Sequence, residues 1–186
     1  MLLINHSIEE FSQELSSGSP APGGGSISAL SGALGADLLS MVCSLSIGND
    51  KYADFEPLIK ESHEKVQTLS KRLLQRVDLD AEAFNGVMAA FKMPKNTEEE
   101  KKARKVAIQA GFKEAVQSPL QIAGECVEVL RVAEKLIGKF NTNAMSDFGV
   151  AGGQAQTGLE GAVMNVKINL PSIKDEQYVA EIKQTI

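Results

Sequence analysis

Apolar residues recur at intervals of three and four along nearly the whole chain, which predicts helix after helix and no sheet. The series Leu58, Val66, Leu69, Leu73, Val77, Phe84, Met88 and Phe91 keeps that spacing and predicts one long helix from about Asp54 to Lys92. Pro94 stops it, because the residue before a proline is driven out of helical geometry. Ser7 with Glu10, and Thr97 with Glu100, read as capping boxes. They open a short first helix ending near Ser17 and a fourth helix running to about Ile137. Ser118-Pro119 predicts a break or kink in that fourth helix. A fifth follows the segment KFNTNAMSDF and lasts to about Asn169, and a sixth begins near Ser172 and is still running at Ile186. Met164, Val166, Ile168 and Leu170 alternate with Asn165, Lys167 and Asn169, a strand-like pattern. No second strand pattern exists to pair with it, so helix is the expectation there.

The densest pattern is PAPGGGSISALSGALGADLLSMVCSLSIG, from Pro20 to Gly48. Prolines and glycines predict a loop as far as Gly25 and a helix from Ser26 to Ile47. Ile27 to Ile47 would be about 32 Å of helix, long enough to cross a bilayer. Asp37 in mid-run, five serines and the lack of aromatic or basic anchors argue against a span. Ser28, Gly32, Ala36, Ser40 and Ser44 repeat every four residues as a stripe of small side chains. Leu30, Leu34, Leu38, Met41 and Leu45 cover another face. The expectation is a central helix buried on both faces, its small stripe against another helix, at the dimer interface. Three glycines before it free the backbone to point N–H groups at a ligand. Gly23, Gly24, Gly25 and Ser26 are therefore candidate substrate contacts; a tight turn is the alternative.

Composition narrows the class. A chain of 186 residues with 43% apolar and 23% charged residues predicts one soluble domain over 1–186. Its net charge of −5 argues against a nucleic-acid or acidic-membrane binder. Cys43 and Cys126 form no C-x-x-C pair, which fits a reducing, cytoplasmic setting without a disulfide framework or zinc site. The opening MLLINHSIEEF lacks the basic flank and cleavage site of a signal peptide. His6 and His63 are the only histidines, too few for a multi-histidine metal centre. No bound metal or cofactor is expected. The chemistry must rest on carboxylates, amides and lysines.

RVDLDAEAF places Asp78, Asp80 and Glu82 on one helix. At about 100° per residue, Asp80 falls roughly 60° from Val77 on the side of Leu69 and Leu73. Asp78 and Glu82 fall on the polar flank. An unpartnered buried carboxylate costs several kcal/mol or shifts its pKa, so Asp80 is either hydrogen-bonded to helix ends or tuned for proton transfer. Asp37 raises the same question with nothing suggestive beside it.

Taken together, PAPGGGSISA, VDLDAEAF, MPKNTEEEK and the spaced Asn141, Ser146 and Asp147 resemble the cyclodeaminase/cyclohydrolase family of folate enzymes, over Pro20 to about Pro171. The resemblance implies an all-α antiparallel bundle of long helices, a homodimer with helices packed across the interface, and a small-molecule folate substrate. It places the D-x-D pair, Asp78 and Asp80, at the catalytic centre and gives proton handling to Asp80. It also implies a final helix longer than the one ending at Ile186. The expected reaction is cyclisation of 5-formimino-tetrahydrofolate to the 5,10-methenyl form with release of ammonia. Interconversion of the methenyl and 10-formyl forms is the alternative, and a non-catalytic folate-binding or scaffold subunit is the second. Lys95 beside Asn96 is a candidate for the glutamate tail. The run EEEKKARK reads instead as a solvated face with pairs such as Glu98–Lys102 and Glu100–Arg104. Asn141, Ser146 and Asp147 stand at a loop–helix junction, where Asp147 would orient pterin amines; a plain helix cap is the alternative.

Overall fold

The computed structural model describes residues 2–186, which are helical with no strand among them. Six α-helices follow in order: α1 (Ile8–Leu15), α2 (Gly24–Ser44), α3 (Glu56–Lys92), α4 (Glu98–Leu136), α5 (Met145–Asn169) and α6 (Glu176–Thr185). Short 3₁₀ turns lie at Leu3–Asn5, Asp50–Phe55, Thr142–Ala144 and Leu170–Ser172. Both capping boxes are formed, Ser7 with Glu10 and Thr97 with Glu100. The alternating segment 164–170 is helical as expected, the end of α5 as far as Asn169 and the start of a 3₁₀ turn at Leu170.

Several boundaries differ from the sequence expectation, among them the start of α6, at Glu176 rather than Ser172 because a 3₁₀ turn occupies Leu170–Ser172. The glycines are not an open loop: Gly23 is the N-cap and Gly24 and Gly25 are the first turn of α2. That helix ends at Ser44, and Gly48 in the left-handed region (φ 74°) redirects the chain. α3 starts at Glu56 because a 3₁₀ turn occupies Asp50–Phe55. α4 runs unbroken through Pro119. The carbonyl of Ala115, which a proline four residues on leaves without its helical donor, takes the Asn169 Nδ2 at 3.1 Å instead. A bond from α5 keeps the helix whole.

α3, α4 and α5 pack around α2 with successive helices antiparallel, as paired contacts show: Ser26 with Val77 and Ser44 with His63, Arg76 with Gln121 and Lys65 with Glu128, Ala115 with Asn169 and Cys126 with Gly158. By length and composition alone α2 could cross a membrane. Here most of it fills the centre of the bundle, with Ala29, Ala33, Ala36, Leu39 and Val42 fully buried. The outer third of α3 behaves differently. Met88 and Phe91 are partly exposed, because the α3–α4 hairpin projects beyond α2 and only α4 faces them; Phe91 meets Phe112 edge-on, centroids 6.0 Å apart. Val116, Val166, Leu170, Ile173 and Ile182 form a second apolar cluster that docks α6.

From Ser28 to Ala36 the small stripe is buried inside the chain rather than between chains, while Ser40 is half-buried and Ser44 exposed. A Cβ on Gly35 would lie 2.8 Å from the Ala151 carbonyl oxygen, and one on Gly158 would lie 2.7 Å from that of Ser28. The backbones of α2 and α5 thus touch along Gly35, Gly32 and Ser28 on one side and Ala151, Ala155 and Gly158 on the other. Only side chains of minimal size permit that approach. Towards α4, a Cβ on Gly32 would meet Cys126 Sγ at 2.6 Å. Gly32→Leu should therefore destabilise the monomer fold by about 3 kcal/mol or more through overpacking. Thermal unfolding reads this directly; an unchanged melting temperature would contradict the seam. The leucine face is split: Leu30 and Leu38 pack partly buried against the core, whereas Leu34, Met41 and Leu45 are exposed on the outside of the chain.

Candidate active site

Four helices converge at one end of the bundle. The first turn of α2 brings Gly24, Gly25 and Ser26, α3 brings Asp80, α4 brings Ser118, and α5 brings Asn165 and Asn169. A Cβ on Gly25 would collide with both carboxyl oxygens of Asp80, so only glycine lets the helix start come this close. The α2 start carries amides without helical acceptors and the positive end of the helix dipole. Ser118 Oγ donates to Asp80 Oδ1 at 3.3 Å. Burial pushes the Asp80 carboxyl above its ordinary pKa of 3.8, while the Ser118 hydroxyl and the Ser26 amide pull the other way. Burial wins. Its place on the apolar side of α3, about 60° from Val77, accounts for that burial.

The other anticipated residues scatter. Ser26 is fully buried and its hydroxyl donates to the Val77 carbonyl at 2.8 Å, so it clamps α2 to α3 instead of offering itself to substrate. Asp78 faces away and accepts from the backbone amides of Leu3 and Ile4, anchoring the N-terminal segment. Gly23 is half-buried and Gly24 exposed beside Asn165, whose Nδ2 would be 3.0 Å from a Cβ there. Lys95 and Asn96 sit at the tip of the α3–α4 hairpin, beyond the α3 terminus at Lys92, itself about 18 Å of helix from Asp80. The Asn96 amide belongs to the cap of α4, donating to Glu100 at 2.7 Å.

Asn141, Ser146 and Asp147 lie at the opposite end of α2, about 30 Å along its axis from Gly25. Asn141 is a clamp: its Nδ2 donates to the Leu45 carbonyl at 3.1 Å and its Oδ1 accepts from the Asn143 amide at 3.1 Å. Ser146 and Asp147 occupy the first turn of α5, where Asp147 suits the helix dipole. Within one chain they do not share a site with Asp80. The charge run is a solvated face with different partners from those expected: Lys101 pairs with Glu98 at 2.7 Å, and Arg104 caps the Phe91 carbonyl. Asp37 is exposed.

Three residues of the convergent end escaped the sequence reading. Ser118 was visible only as the partner of a proline, and Asn165 and Asn169 only as polar members of an alternation. Asn165 donates to the Gly161 carbonyl at 2.8 Å, and Asn169 donates to the Asn165 carbonyl at 2.9 Å. Beside them, a groove of about 700 Å³ runs between α3 and α4. Ala83, Gly86, Ala90 and Gly111 keep its walls low, and Ser118 separates it from Asp80.

The site thus sets one poorly solvated carboxyl against a glycine helix start within an all-helical bundle. The chain belongs to the formiminotransferase-cyclodeaminase family of folate one-carbon enzymes, whose family model matches residues 7–186. It is 44% identical over 177 residues to a methenyltetrahydrofolate cyclohydrolase of Methylorubrum extorquens, covering 95% of this chain and 85% of that one. It is 34% identical over 184 residues to the formimidoyltransferase-cyclodeaminase of Rattus norvegicus, covering 99% of this chain but 34% of the rat protein. The chain therefore spans about a third of that relative. The crystal structure of a formiminotetrahydrofolate cyclodeaminase from Thermotoga maritima superposes with a TM-score of 0.86 at 28% identity, over 97% of this chain and 86% of that one.

Proposed function

We propose that the protein opens and closes the 5,10-methenyl bridge of tetrahydrofolate, as a methenyltetrahydrofolate cyclohydrolase. The observation that carries the chemistry is Asp80, a carboxyl above its ordinary pKa at the start of α2. In the hydrolytic direction its carboxylate takes a proton from water as the oxygen bonds to the methenyl carbon. The carbon–N5 bond then breaks while Asp80 returns that proton to N5. The hydroxyl proton leaves to solvent as the formyl group forms, so one proton is released per turnover. A single group acting in turn as base and acid needs a pKa nearer neutrality than an ordinary aspartate's. The proposed chemistry asks for no cofactor besides the folate itself. The α3–α4 groove is within the size range of small-molecule sites, and its low alanine and glycine walls suit a flat ring.

The choice of water as nucleophile is favoured by the identity to the Methylorubrum cyclohydrolase, which extends over most of both chains. Deamination is the second reading, favoured by the likeness to the Thermotoga cyclodeaminase. In it N10 attacks the formimidinium carbon and loses its proton, and the departing amine gains one and leaves as ammonia. Absorbance of the methenyl form, followed alongside ammonia release, separates the two. Hydrolysis of methenyl-tetrahydrofolate much faster than ammonia release from the 5-formimino form is the expected result. The reverse ranking would favour deamination, and no turnover of either would leave a folate-binding or scaffold role.

The homodimer implied by the resemblance is assigned here to the exposed leucine face of α2. Leu34→Glu, on that face, should yield monomers in sedimentation experiments with the helical content intact; an unchanged dimer would place the interface elsewhere.

A further inference from the structure

We propose that Ser118 is a positioning residue of this reaction, its hydroxyl holding the Asp80 carboxyl against the glycine start of α2 and favouring the ionised form. This rests on the reading of Asp80 as the proton carrier and adds what holds that carrier in place.

The direction of the Ser118 side chain is the first observation. A serine or threonine inside a helix ordinarily returns its hydroxyl to the carbonyl four residues back. Ser28, Thr68 and Thr157 do so in this chain, at 2.7, 3.0 and 2.9 Å. Ser118 is nine-tenths buried in mid-helix, yet its hydroxyl reaches across to another helix and donates to Asp80 Oδ1. Among the described residues it is the only side chain hydrogen-bonded to that carboxyl.

The second observation is how its turn is held. Pro119 has no N–H, so the α4 backbone lacks a bond at this point. Asn169 supplies the missing donor to Ala115, and the same amide nitrogen donates to the Asn165 carbonyl. Asn165 in turn lies against Gly24. A closed ring results, from Gly24 and Gly25 through Asp80, Ser118, the proline gap, Asn169 and Asn165 back to Gly24. Each of the four main helices contributes one side of it, so the hydroxyl is fixed from α5 as well as by α4.

Within four residues of Asp80, Ser118, Asn165 and Asn169 along the chain, the charged side chains are Arg76, Asp78 and Glu82 on α3, Glu114 on α4 and Lys167 on α5. No hydrogen bond or ion pair joins any of them to Asp80 among the described residues, and the first turn of α2 carries no acid. The hydroxyl is thus the side chain placed to bias this carboxyl. A donor to a carboxylate favours ionisation, so its removal moves the titration upward.

The test is the pH dependence of kcat/KM for methenyl-tetrahydrofolate, with Ser118→Ala, Ser118→Thr and Asp80→Asn measured beside wild type. Ser118→Ala should lower kcat about tenfold and move the acid limb of the profile to higher pH. Ser118→Thr keeps the hydroxyl and should return the limb towards the wild-type position. A slower Ser118→Ala enzyme with an unmoved limb would make Ser118 a packing residue only and overturn the proposal. So would wild-type kinetics in Ser118→Ala. Wild-type turnover in Asp80→Asn overturns the underlying reading as well, whatever Ser118 does; loss there with an unmoved Ser118→Ala limb defeats the Ser118 proposal alone.

Discussion

Asp80→Asn should fold normally and lose turnover by about 10²–10⁴, with little change in folate affinity. Asparagine keeps the shape and can still accept from the Ser118 hydroxyl, but its amide does not act as an acid or base near neutral pH. The same substitution should raise stability near neutral pH. Burial holds the folded-state pKa of Asp80 above its ordinary 3.8. Between the ordinary and the raised pKa, the folded chain therefore binds more proton than the unfolded chain. Stability contributed by this group falls as pH rises through that window, and the penalty is complete above it. Asparagine escapes the penalty, so the variant should melt above wild type at neutral pH, the gap closing as pH falls below 3.8. Gain of stability with loss of activity is the signature expected of a strained catalytic group. Asp78→Asn should behave oppositely: the amides of Leu3 and Ile4 lose a charged acceptor, the N-terminal segment loosens, and kcat stays near wild type. Steady-state kinetics and thermal melts on the two variants read all of this.

Gly25→Ala should cost turnover about 10²-fold or more while leaving the circular dichroism of the bundle unchanged. Gly25 has no positive φ, so alanine meets no backbone strain, and alanine is a better helix former than glycine. Its new methyl would occupy the place of both Asp80 carboxyl oxygens. The carboxyl must swing away from the helix start and from Ser118. Neighbouring glycines supply the controls. A Cβ on Gly24 meets only the Asn165 amide end at 3.0 Å, and one on Gly23 meets the Pro20 carbonyl at 3.8 Å. Alanine should therefore be harmless at Gly23, mild at Gly24 and severe at Gly25. A flat series would mean that the glycines serve only to turn the chain.

The helices were legible because their signals are local. Capping residues at Ser7 and Thr97, a proline at position 94 and apolar spacing fix where helices start, stop and face. Asp80 was legible for the same reason, since its place on the wheel depends on one helix alone. What the pattern left open depends on where helices meet. The seam between α2 and α5 uses Gly35 and Gly158, whose value lies in the partner backbone, and a stripe of small residues does not name its partner. Of the break or kink expected at Pro119, the break does not occur, and the side chain that fills the proline gap, Asn169, lies on another helix. Ser118 and Asn165 were invisible as site residues for the same cause. Conversely, Asn141 and Asp147 carried motif-like spacing that the fold uses at the far end of α2 as a clamp and a helix start.

The most direct measurement of the central claim is a titration of Asp80 itself, by carbon-13 NMR of labelled aspartate carboxyls, with Asp80→Asn used to assign the resonance. The account predicts a midpoint above the ordinary 3.8 that coincides with the acid limb of the kcat/KM profile for methenyl-tetrahydrofolate. A midpoint at or below 3.8, or an activity limb that does not follow it, would contradict the assignment of proton transfer to this residue.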